Sequence, residues 1–91
     1  MSGIERRVTI CNARGLHARA AAKFVETSQG YDAVVHVTRE GETVNADSIM
    51  ELLMLAASKG AEISIASEGA QAEDASAALV ELVEAGFYES E

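Results

Sequence analysis

Residues 7 to 19 read RVTICNARGLHAR, and the hydrophobic pattern changes character inside this stretch. Val8 and Ile10 alternate with polar neighbours, and a period of two predicts a strand over residues 7 to 11. Asn12-Ala13-Arg14-Gly15 then interrupts the pattern with residues that favour a turn. Alanine-rich sequence with helical spacing follows. The stretch therefore predicts a strand, a turn and the start of a helix in close succession.

The rest of the chain continues this alternation of strands and helices. A helix is predicted over 18–29, with Gly30 as its cap, and is followed by a strand over 33–38. A tight turn at Glu40-Gly41 leads into a strand over 43–45. The remaining predicted elements are a helix from Ser48 to near Gly60, a strand over 62–67 and a helix ending at Gly86. The order βαββαβα predicts an α+β fold in a single domain spanning residues 1–91. We expect an open-faced β-sandwich, in which a four-stranded antiparallel sheet carries three helices on one face. Val34 and His36 should lie on the other, solvated face.

The second predicted helix has an unusual composition. Ser48-Ile49-Met50-Glu51 matches a capping box, in which the serine oxygen accepts from an N3 amide and the glutamate returns to the cap amide. Between residues 49 and 55 every residue except Glu51 is apolar, which exceeds a single buried stripe. We expect two faces on this helix: the inward residues are Leu52, Leu55 and Ala56, and the outward residues, forming a docking patch, are Ile49, Met50 and Leu53.

Composition excludes several classes of protein. The net charge of -8 argues against nucleic acid as a partner. No apolar run approaches the roughly 18 residues of a membrane span, and the first residues lack a signal-peptide core, so we expect a cytoplasmic protein without a membrane partner. Cys11 is the only cysteine, which excludes an intramolecular disulfide and predicts a small buried hydrophobe at that position.

The basic residues are concentrated near the N-terminus, where they favour an anion. Of the seven Lys and Arg residues, five lie in the first 23 positions: Arg6, Arg7, Arg14, Arg19 and Lys23. His17 falls at or beside the N-cap of the first helix, where unpaired amides and the helix dipole attract negative charge. A neutral imidazole has one ring nitrogen with a free lone pair, and can attack phosphorus. A surface histidine that only borders a helix cap is the alternative interpretation.

Two separated motifs resemble those of a known family. Gly15-Leu16-His17-Ala18-Arg19 is similar to the phosphorylation signature of the HPr family of the bacterial phosphotransferase system. Val44-Asn45-Ala46-Asp47-Ser48-Ile49-Met50 is similar to the second signature of that family, and the similarity includes the stretch from Lys59 to Ile63. The two departures are Ala20, where a proline is usual, and Asp47, where a lysine is common. Ala20 leaves open the nitrogen-related branch of the family, called NPr.

The resemblance implies a stoichiometric phosphocarrier instead of a stand-alone enzyme. In that scheme His17 takes a phosphoryl group on Nδ1 from enzyme I, which obtains it from phosphoenolpyruvate, and donates it to enzyme IIA proteins. Arg19 and the backbone amides of Ala18 and Arg19 would stabilise the phosphate. Ser48 matches the serine modified by HPr kinase/phosphorylase in some bacteria. The scheme implies a monomer that needs neither a cofactor nor a metal ion.

Two other functional classes remain open on the sequence. A regulatory binding module of the same fold would control partner proteins without obligate phosphotransfer, and would differ only in whether His17 accepts phosphate. An acylphosphatase-type enzyme would need a glycine-rich phosphate loop after the first strand, and this chain has His17 there. Spacing does not support a metal site formed by Cys11, His17 and His36.

Overall fold

The computed structural model describes residues 3 to 89. The elements, in chain order, are β1 (Ile4–Thr9), α1 (Ala18–Gln29), β2 (Val34–Arg39), β3 (Glu42–Asn45), α2 (Ile49–Met54), β4 (Glu62–Glu68), α3 (Ala72–Glu84) and a 3₁₀ turn (Gly86–Tyr88). The predicted order βαββαβα is confirmed.

The four strands form one antiparallel sheet in the order β1-β4-β2-β3. β4 lies between β1 and β2, so that Val8 opposes Ile63 and Val37 opposes Ile65. These residues are buried, because each strand turns alternate side chains toward the helices. Val34 and His36 are exposed on the other face. The predicted α+β architecture, with helices covering one face, is therefore confirmed.

The core lies between the inner face of the sheet and the three helices. Phe24 of α1, Leu52 of α2 and Leu79 of α3 are fully buried and belong to one hydrophobic cluster with the inward strand residues. α3 packs on β1 and β4, whereas α1 packs on both α2 and α3. Burial of a large side chain contributes about 1.5 to 3 kcal/mol, so these contacts fix the start of α1 relative to the sheet.

Cys11 is exposed, so the prediction of a small buried hydrophobe is wrong. The alternation that buries Val8 and Ile10 turns Cys11 outward. Its Sγ lies 3.4 Å from the carbonyl oxygen of Val83, at the end of α3. β1 also begins earlier than predicted, at Ile4, because it pairs with β4 from Ile4 opposite Ser67.

α2 ends at Met54, and not near Gly60 as predicted. Leu55 is the C-cap, and Ala56 adopts a φ of 51° that breaks the helix. The chain turns there because the following residue, Ala57, is buried and its carbonyl accepts a hydrogen bond from Leu16 N at 2.8 Å. As a result Ala56 is exposed, and its predicted inward position is wrong.

Two predicted glycine turns behave differently. Glu40 and Gly41 have φ of 50° and 84°, as a tight hairpin between β2 and β3 requires. Gly30 is the C-cap of α1, as predicted, but its φ is -77°. That conformation is right-handed, so it does not need glycine.

Gly15 is required by both its backbone conformation and its surroundings. Its φ is +65°, in the left-handed region that favours glycine. A Cβ at this position would lie 2.6 Å from the carbonyl oxygen of Ala57 and 2.8 Å from Ser58 Cα. The loop before α1 can therefore approach the segment after α2 only with a glycine here.

Gly15→Ala should destabilise the fold more than Gly41→Ala. Gly41 also has a positive φ, +84°, but nothing lies within 4 Å of its Cβ position. Gly41→Ala should lower the free energy of unfolding by about 1 to 2 kcal/mol through conformation alone. Gly15→Ala should lose roughly a further 1 to 3 kcal/mol because two backbone segments must move apart. Urea unfolding of both variants measures the difference, and equal losses would show that the close contact is unimportant.

Candidate functional site

His17 is the N-cap of α1, with extended backbone at φ -79° and ψ 179°. The first helical hydrogen bond joins Ala21 N to His17 O at 2.8 Å. The amides of Ala18, Arg19 and Ala20 precede that bond, so they have no partner within the helix. The His17 side chain makes no capping hydrogen bond to them. These amides and the positive end of the helix dipole therefore favour an anion beside the imidazole.

The loop that carries His17 is held on both sides. Gly15 N donates to Asn12 O at 3.1 Å, which closes the turn after β1. Leu16 N donates to Ala57 O at 2.8 Å, and the Leu16 side chain is buried in the core. The residue before His17 is thus anchored through backbone and side chain. The imidazole has a defined position although it lies at the surface.

The imidazole contacts a carboxylate from the other end of the chain. His17 Nε2 pairs with Glu89 Oε2, and the two side chains are 21% and 12% exposed. Within residues 3 to 89, Nδ1 has no hydrogen-bond partner. The imidazole is therefore partly covered, and its Nε2 is engaged by the Glu89 carboxylate.

Asn12 binds the other oxygen of the Glu89 carboxylate. Its Nδ2 donates to Glu89 Oε1 at 3.0 Å and to Gly15 O at 2.8 Å. Asn12 is 1% exposed, and no partner for its buried Oδ1 is found among the described residues. The side chain therefore ties the loop before α1 to Glu89. Sequence reasoning treated Asn12 as a turn residue and missed this role.

Glu89 is the functional candidate that no motif indicated. It lies 72 positions after His17 and just beyond the last predicted helix. The hydrogen bond with His17 is the main cause that lowers the pKa of Glu89 below its usual value of 4.5, with smaller contributions from the Asn12 hydrogen bond and the charges of His17 and Arg14. Partial burial opposes these effects. The carboxylate is therefore ionised at neutral pH.

The predicted cations differ in their availability. Arg19 is exposed on the first turn of α1, and neither ion pair found among residues 3 to 89 involves it. The Lys23 ammonium group already has a hydrogen-bond partner, because its Nζ donates to Phe87 O at 2.6 Å. Arg19 and Arg14 are both exposed and outside these ion pairs, and Arg19 lies on the first turn of α1, where it can meet an anion at the start of the helix.

Ser48 is the N-cap of α2, as predicted. Its Oγ accepts from Glu51 N at 3.2 Å. The second half of the predicted capping box is wrong, since Glu51 Oε1 accepts from Asn45 N at 2.9 Å instead of from the cap amide. Glu51 therefore links α2 to the end of β3. Ser48 begins a different helix from the one that carries His17 and Arg19.

The outward face of α2 differs in part from the prediction. Ile49 and Met50 are exposed as expected, with Met50 at 72%. Leu53 is partly buried against the core, so its predicted outward position is wrong in part. Met54 is 66% exposed and was not predicted. The apolar surface of this helix, which we call the α2 patch, thus consists of Ile49, Met50 and Met54.

Among residues 3 to 89, no group of three His, Cys, Asp or Glu side chains is arranged to hold a metal ion. His36 is exposed on the open face of the sheet, paired with Ala66 and Asn45 of neighbouring strands. None of the helices in the described part of the chain has the length and apolar character to cross a bilayer.

Glu89→Gln should destabilise the fold at neutral pH, and the loss should disappear in acid. A carboxylate whose pKa is lowered on folding contributes stability above its unfolded value near 4.5, and that contribution is lost as the pH falls through the folded value. Urea unfolding from pH 7 to pH 3 should therefore show the wild-type and variant curves converging below about 4.5. Glu81→Gln, an exposed change on α3, is the matched control. A constant gap between wild type and Glu89→Gln at every pH would contradict the assignment.

Comparisons with known proteins agree with the fold and the motifs. The family model described as the PTS HPr component phosphorylation site matches residues 4 to 85. Phosphocarrier protein HPr of Pseudomonas aeruginosa is 48% identical over 85 residues, covering 92% of this chain and 94% of that protein. Phosphocarrier protein NPr of Escherichia coli K12 is 41% identical over 87 residues, covering 94% of this chain and 97% of that protein.

A solved structure extends the comparison to three dimensions. The crystal structure of HPr-C-His from Thermoanaerobacter tengcongensis superimposes with a TM-score of 0.92 at 39% identity, covering 97% of this chain and 99% of that one. Sequence, motif order and fold agree over nearly the whole length. The chain therefore belongs to the HPr family of phosphocarrier proteins of the phosphotransferase system.

Proposed function

We propose that this chain carries a phosphoryl group on Nδ1 of His17, accepting it from enzyme I and donating it to enzyme IIA proteins. The observation that carries the proposal is the position of His17 as the N-cap of α1, with Nε2 engaged and Nδ1 without a partner among residues 3 to 89. A phosphoryl group on Nδ1 would meet the unpaired amides of Ala18 and Arg19. The whole chain, residues 1–91, would act as one cytoplasmic carrier domain, monomeric between encounters.

The transfer itself is an in-line displacement at phosphorus, in which positioning and charge neutralisation provide most of the catalysis. The Arg19 guanidinium supplies positive charge from an exposed side chain. A carrier must also release its cargo, and tight ground-state binding would slow onward transfer. Two backbone amides and one arginine at a surface site can stabilise the phosphoryl group and still allow its release. No cofactor is required of the carrier.

His17→Ala should abolish phosphorylation. Incubation with enzyme I, magnesium and labelled phosphoenolpyruvate should give wild-type protein an acid-labile, base-stable adduct, as expected of phosphohistidine. Arg19→Ala should retain the adduct but slow its formation roughly tenfold, the equivalent of one charge-assisted hydrogen bond of about 1.5 kcal/mol.

The control is His36→Ala, which removes the other histidine, exposed on the open sheet face. It should be labelled at the wild-type rate, and Ser48→Ala should still carry label on His17. Labelling that persists in His17→Ala would remove the proposal. Wild-type protein that binds enzyme I without taking label would favour the regulatory binding module.

The α2 patch is the proposed docking surface for enzyme I and enzyme IIA. Ile49, Met50 and Met54 are exposed apolar side chains on one short helix, and α2 packs against α1, whose N-cap is His17. Exposed apolar side chains grouped on one element are typical of interaction surfaces. Charged residues are depleted from the centres of such interfaces, so a carboxylate there should be poorly tolerated.

Met50→Glu should weaken binding of enzyme I about tenfold or more, because a carboxylate would be desolvated at the interface. Met50 is 72% exposed, so the variant should unfold at the wild-type urea concentration. Leu53→Glu is a poorer probe, since Leu53 packs partly against the core. Val34→Glu makes the same kind of change on the open face of the sheet and should bind normally. Equal affinities for Met50→Glu and wild type, measured by calorimetry, would place docking elsewhere.

Regulation at Ser48 by a kinase of the HPr kinase/phosphorylase type belongs to the same proposal. Ser48 caps α2 directly before the α2 patch, with Asp47 and Glu51 close by in sequence. Phosphorylation would add roughly -1.5 to -2 charge there. The helix N-terminus would stabilise that charge, whereas acidic partner surfaces would be repelled. Docking, and not the chemistry at His17, would be the step affected.

A further inference from the structure

We infer that Glu89 is a positioning residue for the phosphoryl transfer: its carboxylate holds the proton on His17 Nε2 through both halves of the carrier cycle. The inference rests on the proposed function, because it assigns Glu89 a role in chemistry at Nδ1. It adds a residue that lies outside both signature motifs.

The contact geometry fixes which nitrogen reacts. Glu89 Oε2 pairs with His17 Nε2, and an ionised carboxylate only accepts hydrogen bonds. Nε2 must therefore carry the proton, which leaves the lone pair on Nδ1. Histidines that ligate metals are oriented in the same way, by a carboxylate on the second ring nitrogen that also raises the basicity of the first.

Glu89 is itself held in place on its other oxygen. Asn12 Nδ2 donates to Glu89 Oε1 at 3.0 Å and to Gly15 O at 2.8 Å. Because Asn12 is almost fully buried, it has little freedom to move away. The Glu89 carboxylate is thus held by the Asn12 side-chain amide on one oxygen and by the His17 imidazole on the other. The positive charge of Arg14 further favours the ionised form of Glu89 and lowers its pKa.

The chain end is bent to bring Glu89 back to His17. Gly86, Phe87 and Tyr88 have φ of 63°, 57° and 58°, and the left-handed region is costly for the last two. Phe87 is fully buried, and its carbonyl accepts from Lys23 Nζ at 2.6 Å. Such a conformation persists only where surrounding contacts impose it. Here the contacts impose a turn whose next residue is Glu89.

Both transfer steps at Nδ1 take place while the proton remains on His17 Nε2. In the accepting step the Nδ1 lone pair forms the P–N bond, while the bond between phosphorus and the donor group breaks and its electron pair leaves with that group. The ring becomes a phosphorylated imidazolium, and the Glu89 carboxylate balances its positive charge. In the donating step a nucleophile of enzyme IIA forms a new bond to phosphorus, the P–N bond to His17 breaks, and its electron pair returns to Nδ1. The departing ring is then neutral imidazole, a better leaving group than imidazolate.

Two measurements on Glu89→Ala and Glu89→Gln test this role, with Glu81→Gln as the control for removing one exposed carboxylate. Proton NMR of wild-type protein labelled with nitrogen-15 should show a downfield His17 Nε2 proton that exchanges slowly with water. It should be absent in Glu89→Ala and shifted in Glu89→Gln. Glu81→Gln should match wild type.

The second measurement is the rate of onward transfer from purified phosphoprotein to enzyme IIA across pH 6 to 9. Glu89→Ala should transfer roughly 10- to 100-fold more slowly at the alkaline end. Its rate should fall as the pH rises, since the ring must then obtain its proton from solvent. The wild-type rate should change little over the same range.

The outcomes separate the inference from the proposed function. Wild-type protein that takes no phosphate overturns the proposed function, and the inference falls with it. Wild-type protein that transfers phosphate, alongside a Glu89→Ala variant with the same rate and pH profile, overturns the inference alone. A slower Glu89→Ala with an unchanged Nε2 proton signal also overturns it, because the effect would then not pass through that proton.

Discussion

The close approach of the loop before α1 to the segment after α2 is the constraint on which the site depends. Leu16 N bonds to Ala57 O, and Gly15 allows the two backbones to come together. This contact sets where α1 begins and so makes His17 its N-cap. It also explains the early end of α2, since Ala57 must leave the helix to reach Leu16. One contact therefore shapes both the proposed chemical site and the α2 patch.

Periodicity predicted the elements because it is a local property of the chain. Val8 on β1 and Ile10 directly after it, like Val35 and Val37 on β2, have the alternation that a half-buried strand requires, and the structure buries all four. Ser48 was recognised as a cap for the same reason. Local patterns carry no information about contacts between distant segments. They therefore could not predict that Ala57 is buried, that Ala56 is exposed or that Leu53 is partly buried against the core.

The position of Glu89 shows the same limit at the candidate site. His17 and Arg19 lie within one motif, and a resemblance was enough to indicate both. Glu89 reaches the imidazole through a left-handed turn that depends on Phe87 being buried and on Lys23 binding its carbonyl. The sequence shows a basic N-terminal segment and an acidic remainder. Only the fold shows that one acid of the remainder returns to the start of α1.

Two of the three exposed side chains on the α2 patch are methionines, Met50 and Met54. A thioether chain is unbranched and polarisable, with three rotatable bonds that adapt to surfaces of different shape. Branched side chains would favour a single complementary partner, whereas these chains can repack for each one. Such plasticity would let the α2 patch bind partners of unrelated fold one after another. A phosphoryl relay would then not need a separate interface on the carrier for every step.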